Sequence, residues 1–181
     1  MTADPLAARL AKDLDGAFPD VVRQMSNGLY SGALRMLGNA RDAEEIAQDA
    51  LVRAYRALQE YPEDRIRDLR LRGWLWTIAA NLCRNRLRSR ARRGERSLEG
   101  MDPSDDGSGP EGEALSGETR SELATLLLHL PWEVRTAIVL KHVVGLSYAE
   151  ISEALDRPSG TVRSDVSRGL ARLREALEEE R

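Results

Sequence analysis

Between Arg96 and Gly117 the chain reads RSLEGMDPSDDGSGPEGEALSG, a stretch rich in Gly, Pro, Ser and acids and nearly free of large apolar residues. Such a segment cannot bury enough apolar surface to offset the entropy of ordering it, so it is expected to be a flexible acidic linker. This constrains the fold more than any other feature. A chain of 181 residues must then build its cores from two short halves. The expected division is 1–17 as an N-terminal tail or first helix, 18–95 as one domain, 96–117 as linker and 118–181 as a second domain. Each core must be simple, and a bound partner could help stabilise either. Outside the linker the apolar residues recur with a period near 3.6 and β-branched runs are few, which predicts an all-α protein.

In the second half, Leu146–Leu173 reads LSYAEISEALDRPSGTVRSDVSRGLARL. Ser147 followed three residues later by Glu150 is a capping box, a helix start. Tyr148, Ile151 and Leu155 then share one face. Pro158 biases Arg157 away from helical backbone and ends that helix. Ser159 or Thr161 can cap the next, along which Val162, Val166, Leu170, Leu173 and Leu177 return to one stripe. Ser164, Ser167 and Arg168 take the opposite face, with Arg163 on its flank. A short helix bracing a helix with small polar and arginine side chains is what a helix-turn-helix offers to a DNA major groove. By spacing alone, an ordinary pair of antiparallel helices with a solvated face fits as well.

The first half has three readable helices, near Phe18–Leu37, Asp42–Leu58 and Gly73–Arg90. The first ends at Gly38-Asn39, a stop signal. In the second, Ile46, Ala50, Leu51, Ala54 and Leu58 form the apolar face, and Asp42, Glu44 and Glu45 complement the helix dipole at its start. In the third, Leu75, Ile78, Ala79 and Leu82 share one face, and Thr77, Asn81, Arg84 and Arg88 share the other. A polar-then-basic stripe of this kind suits a nucleic-acid backbone. Trp74 is assigned to packing, and Trp76 is a candidate surface for base stacking. Glu60–Arg72 reads as a charged loop with few packing anchors, able to contact a ligand.

Net charge is −3, but its distribution is uneven. Arg84, Arg86, Arg88, Arg90, Arg92, Arg93 and Arg96 form a basic run, followed by the acidic linker. This asymmetry points to separate surfaces for separate partners. The single cysteine, Cys83, excludes a disulfide framework and favours a reducing cytoplasm. The opening MTADPLAARLAKDLDGAF lacks a secretory apolar core, and no apolar run approaches the ~20 residues of a membrane helix, so no membrane insertion is expected. The sequence holds no phosphate-binding glycine loop and no zinc-protease motif, and His129 and His142 lack ligand companions at metal spacing. Binding rather than catalysis is expected, with no metal and no cofactor.

Three blocks resemble the extracytoplasmic-function (ECF, group 4) sigma factors of bacterial RNA polymerase, within the sigma-70 family. They are NARDAEEIAQDALVRAYRAL at Asn39–Leu58, GWLWTIAANLCRNRLR at Gly73–Arg88, and the segment from LPWEVRTAIVLKHVVGLSYAEISEAL through GTVRSDVSRGLARLR at Leu130–Leu177. Their order and the linker between them match as well. The resemblance implies two small helical domains, a sigma domain 2 bundle and a sigma domain 4 helix-turn-helix. It implies that Glu45, Gln48, Asp49 and Arg53 bind the clamp helices of the polymerase's largest subunit, with a further contact to the flap of the second-largest. Trp76, Thr77, Asn81, Arg84 and Arg88 would hold the melted −10 strand, Asn81 matching a characteristic Asn of the family. Lys141, Thr161, Arg163, Ser164, Ser167 and Arg168 would bind −35 DNA. It further implies control by an anti-sigma factor, and a linker whose acids mimic nucleic acid in the polymerase's RNA path.

Three positions depart from the family pattern: Asp165, where a basic residue is common; Ser167, where bulkier residues occur; and Asn85, in place of a frequent Asp. An acid on the reading helix would weaken −35 affinity or accept from a cytosine amino group. The alternative is a helix-turn-helix regulator binding operator DNA without a polymerase role, which accounts for the C-terminal block alone. An adaptor made of two helical domains would leave the Thr77–Arg88 stripe unused.

Overall fold

The computed structural model describes residues 4–94 and 117–179, so the acidic segment and the expectation of nucleic-acid mimicry lie outside the described residues. Among the described residues every regular element is helical. Asp4 caps α1 (Pro5–Lys12) by accepting from the Leu6 N–H at 3.0 Å, with Pro5 at the first helical position. Leu6, Ala7, Leu10 and Ala11 bury one side of it against α2 and α4, so this segment is a packed helix. α2 (Leu14–Leu37) starts four residues before the expected Phe18, because the Asp13 side chain caps it through the Gly16 N–H. Gly38, at φ 66°, ends it in the left-handed conformation that glycine adopts without strain.

Asn39 caps α3 (Ala40–Glu60), which lies along α2. The expected loop after it contains a helical turn, α4 (Glu63–Arg67), anchored by the buried Ile66. Ile66 sits alone among charges, so no periodic signal marked it. α5 (Leu71–Arg93) then packs across α2 and α3.

The second half comprises α6 (Gly117–His129), α7 (Trp132–Ile138), α8 (Tyr148–Leu155) and α9 (Ser159–Glu179). α7 continues into a π-helical turn over Val139–Val143. Gly169 lets α9 approach α7 closely: a Cβ there would collide with Ile138 and Val134.

The halves are docked on each other. Leu140, Leu146, Ile151 and Leu155 join the same apolar cluster as Leu29, Met36, Leu75 and Trp76. α8 lies against the start of α5, where the Glu150 side chain covers Gly73 and Arg72 donates to the Val144 carbonyl. Arg70 faces Glu153 at 3.6 Å.

Candidate nucleic-acid interfaces

The helix-turn-helix forms as its capping chemistry dictates. Ser147 N–H donates to Glu150 Oε2 at 2.8 Å, and Glu150 N–H donates to Ser147 Oγ at 3.2 Å. Ile151, Ala154 and Leu155 turn inward, and Asp156 ends α8 at φ 51°. Arg157 N–H returns to the Ser152 carbonyl at 3.0 Å, and the Pro158 carbonyl accepts from Val162 N–H to start α9. Val162, Val166, Gly169 and Leu173 face the core. Thr161, Arg163, Ser164, Ser167 and Arg168 are all exposed on the outer surface of the same helix.

Lys141 reaches this surface from the π-helical turn, half-buried, its Nζ donating to the Leu146 carbonyl at 3.4 Å. It lies 4.7 Å from the centre of the Tyr148 ring, and the Arg163 guanidinium lies 5.0 Å from that ring. Tyr148 therefore holds two cations, one on each of two elements, by cation–π attraction. Periodicity groups Tyr148 with the core residues Ile151 and Leu155; its hydroxyl-bearing ring is the signal that could have set it apart.

On α5, Asn81 and Arg88 are exposed, and Thr77 and Arg84 are half-buried. Thr77 Oγ1 donates to the Gly73 carbonyl at 3.2 Å. The expected stacking role of Trp76 does not hold: the ring is 3% exposed, packed where a Cβ on Gly32 would be and beside Val144. Helical phase explains this. Positions 79, 80 and 83, three, four and seven residues on from Trp76, are the buried Ala79, Ala80 and Cys83. Trp74 instead precedes Thr77 and Asn81 by three and seven residues and so extends the polar stripe. It is half-buried, its ring 6.0 Å from that of Tyr61, whose other neighbour is the Arg65 guanidinium at 3.5 Å. The aromatic surface beside the stripe belongs to Trp74 and Tyr61.

The structure also sorts the basic run. Arg86 and Arg90 turn toward α3, and both pair with the buried Asp42. Arg86 also lies 2.9 Å from Glu45, which Arg41 contacts at 3.2 Å. Hydrogen bonds from Arg86 and then Arg41 hold the Glu45 carboxyl below the usual range. Glu45 is thus tied to α5 as well as exposed. Gln48 and Arg53 are exposed on α3, and Asp49 pairs with Arg53 at 3.1 Å. Between them stands Val52, an exposed apolar residue that a list of polar candidates passes over.

No group of His, Cys, Asp and Glu among the described residues could hold a metal ion. Cys83 is buried, and burial pushes its thiol up to about 12. No described helix is long and apolar enough to cross a membrane.

Sigma-70 region 2 matches residues 21–93, and sigma-70 region 4 matches residues 120–173. The ECF RNA polymerase sigma factor SigW of Bacillus subtilis is 35% identical, over 89% of this chain and 89% of its own. The ECF RNA polymerase sigma-E factor of Escherichia coli K12 is 32% identical, over 98% of this chain and 93% of its own. Among solved structures, the sigma factor RpoE bound to the anti-sigma factor NepR from Bartonella quintana aligns with a TM-score of 0.71 at 25% identity. That alignment covers 91% of this chain and 98% of the other. CnrH in complex with the cytosolic domain of CnrY shares the fold, with a TM-score of 0.71 at 24% identity over 97% of each chain. With both conserved regions of the family matched in order, and SigW alike over nearly nine-tenths of the chain, this protein belongs to the sigma-70 family as an ECF RNA polymerase sigma factor.

Proposed function

We propose that the transcription-initiation work of this sigma factor is divided between α5 and α9, with α3 holding the polymerase. α5 captures the opened non-template strand of the −10 element with Thr77, Asn81, Arg84 and Arg88, bases stacking on Trp74 and Tyr61. Bases can be read on their edges only after they leave the stack, which suits a polar stripe beside an aromatic surface. α9 binds the −35 element through Thr161, Arg163, Ser164, Ser167 and Arg168, with Lys141 joining from the π-helical turn. Cations on phosphates set the register, and one or two arginines read base edges. Gln48, Asp49, Arg53 and the exposed part of Glu45, with Val52 among them, dock on the clamp helices of the largest polymerase subunit. The second half meets the flap of the second-largest. These roles place the protein in the cytoplasm, with no catalytic residue of its own.

The observation that carries this reading is that the two outward stripes are exposed or half-buried, with Asn81 and Arg88 on α5 and Thr161, Arg163, Ser164, Ser167 and Arg168 on α9 exposed, while Leu75, Ala79, Val162 and Val166 on the opposite faces of the same helices are buried. A helix-turn-helix regulator without a polymerase role accounts for the second stripe only. Because a relative was solved with an anti-sigma factor, we also propose that an anti-sigma protein restrains this chain.

The test is in vitro transcription with core polymerase on a promoter library. The chain added to core polymerase yields promoter-dependent transcripts. Asn81→Ala and Arg88→Ala reduce open-complex formation, and Arg163→Ala or Arg168→Ala weakens promoter binding by roughly 1–3 kcal/mol where the residue makes a bidentate base contact. Absence of promoter-dependent transcript rejects the proposal.

A further inference from the structure

Asp165 stands on α9 with its carboxylate turned inward, 4% exposed. Oδ2 lies 2.6 Å from Arg157 Nη2, and Oδ1 accepts from Arg168 Nη2 at 2.8 Å. Arg157 belongs to the turn before Pro158, where its carbonyl also accepts from Ser152 Oγ at 2.5 Å. The Arg168 side chain is 67% exposed, and its Nε donates to the Ser164 carbonyl at 3.3 Å. One buried carboxylate thus joins the helix-turn-helix turn to the reading face. Oδ1 is hydrogen-bonded to Arg168, and the buried Oδ2, which accepts no hydrogen bond, stands in an ion pair with Arg157, so Asp165 does not face outward to accept from a cytosine.

Stability alone gives no reason for a carboxylate here. The desolvation of a buried ion pair offsets most or all of its attraction, and an apolar side chain would suit the neighbouring Val162, Val166 and Gly169. What the carboxylate supplies is geometry. A guanidinium has five N–H donors in a fixed fork. Arg168 gives its Nε–H to Ser164 and one Nη2–H to Asp165, which leaves both Nη1 hydrogens and one on Nη2. That remaining Nη1/Nη2 edge carries a pair of parallel N–H donors that matches O6 and N7 of a guanine in the major groove. An arginine already fixed by two bonds loses less rotamer freedom on binding than a free one. The charge balance is also favourable: two arginines against one carboxylate leave a net positive cluster, which attracts phosphates less than two free arginines would but still attracts them.

We infer that Asp165 is a positioning residue for promoter recognition, fixing Arg168 to read a guanine of the −35 element, while Arg157 neutralises the carboxylate. This rests on the assignment of α9 to −35 DNA. The experiment uses holoenzyme reconstituted from core polymerase and the full chain, with duplexes randomised over the −35 element and a random-sequence duplex as reference. Arg168→Ala abolishes one guanine preference, a discrimination of roughly 5- to 140-fold at about 1.4 kcal/mol per decade. Asp165→Asn lowers the same preference about threefold or more, while affinity for the random duplex holds or rises because a negative charge is gone. A merely structural role would lower both affinities together, along with the melting temperature. Arg168→Lys, on the exposed face, keeps the charge but not the fork, and loses the guanine preference. An intact preference in Asp165→Asn or Arg168→Lys, beside its loss in Arg168→Ala, overturns the inference. An intact preference in Arg168→Ala instead rejects the assignment of α9 itself.

Discussion

Asp42 shows how a single side chain can decide what an arginine-rich helix does. It is buried at the first turn of α3 and pairs with Arg86 and Arg90, and Arg90 also donates to the Leu37 carbonyl at 3.3 Å. Removing the carboxylate takes from Arg90, itself 7% exposed, its ion pair with Asp42. Breaking a buried pair from one side costs about 3–5 kcal/mol, so Asp42→Ala lowers the urea midpoint strongly. Arg88→Ala, on the exposed face, stays within about 0.5 kcal/mol of the parent in the same melt. From the sequence Asp42 reads as a helix-dipole residue, because pairing across α3 and α5 is a tertiary fact. Cys83 gives a second prediction. Its thiol is pushed from 9.0 up to about 12 in the folded state, so folding is favoured below pH 9 and loses that contribution as pH rises from 9 towards 12. At pH 8 a thiol reagent therefore labels the native protein only at the rate of unfolding, and rapid labelling would show the site to be open.

At the level of elements, capping and turn chemistry were legible and helix phase was only partly used. Ser147, Glu150, Pro158 and Gly38 mark boundaries that the structure keeps, because each acts through bonds within a few residues of itself. α1 falls in the 1–17 segment expected as a tail or first helix, whereas α4, one turn long, carries little periodicity and depends on partners far along the chain. Trp76 is buried where a stacking surface is expected, in phase with Ala79, Ala80 and Cys83, whereas Trp74 packs against the core as expected and also borders the polar stripe. This separates two outcomes. Trp76→Ala empties a packed site between α2, α5 and the second half, and costs about 3–5 kcal/mol of stability. Trp74→Ala, at a half-buried position, costs less stability than Trp76→Ala and, on the proposed role, weakens −10 single-strand binding by roughly 1–3 kcal/mol. Thermal melts and strand binding measured on both variants check the assignment. Gly169 supplies a third element-scale test. Adding one methyl group pushes α9 off Ile138 and Val134, so Gly169→Ala destabilises by about 1–3 kcal/mol, read from the thermal midpoint.

At the scale of the whole molecule, the docking of the two halves was invisible in the sequence. An acidic linker announces two domains, but it says nothing of whether they touch. The residues that join them, Leu140, Leu146, Ile151 and Leu155, read as the ordinary core of a helix-turn-helix. Their docking has a geometric consequence. Elements centred about 25 base pairs apart are separated by about 85 Å at ~3.4 Å per base pair. A compact chain of this length is only about 40 Å across. On the proposed roles, with α8 packed on α5 the two reading surfaces cannot serve both elements at once, so the α5–α8 contact is expected to open on a promoter. The polar part of that contact is Arg72 on the Val144 carbonyl and Arg70 facing Glu153, neither of which belongs to the apolar packing of one half. The double variant Arg70→Ala, Arg72→Ala therefore shifts the free chain towards extended forms while each half keeps its helices. Fluorescent labels on α3 and α9 report the change as a longer mean distance in the variant and, for both proteins, a long distance in the promoter-bound holoenzyme. A short distance that persists on the promoter would mean that docking is compatible with recognition, and that the two elements are not engaged by one chain in the manner proposed.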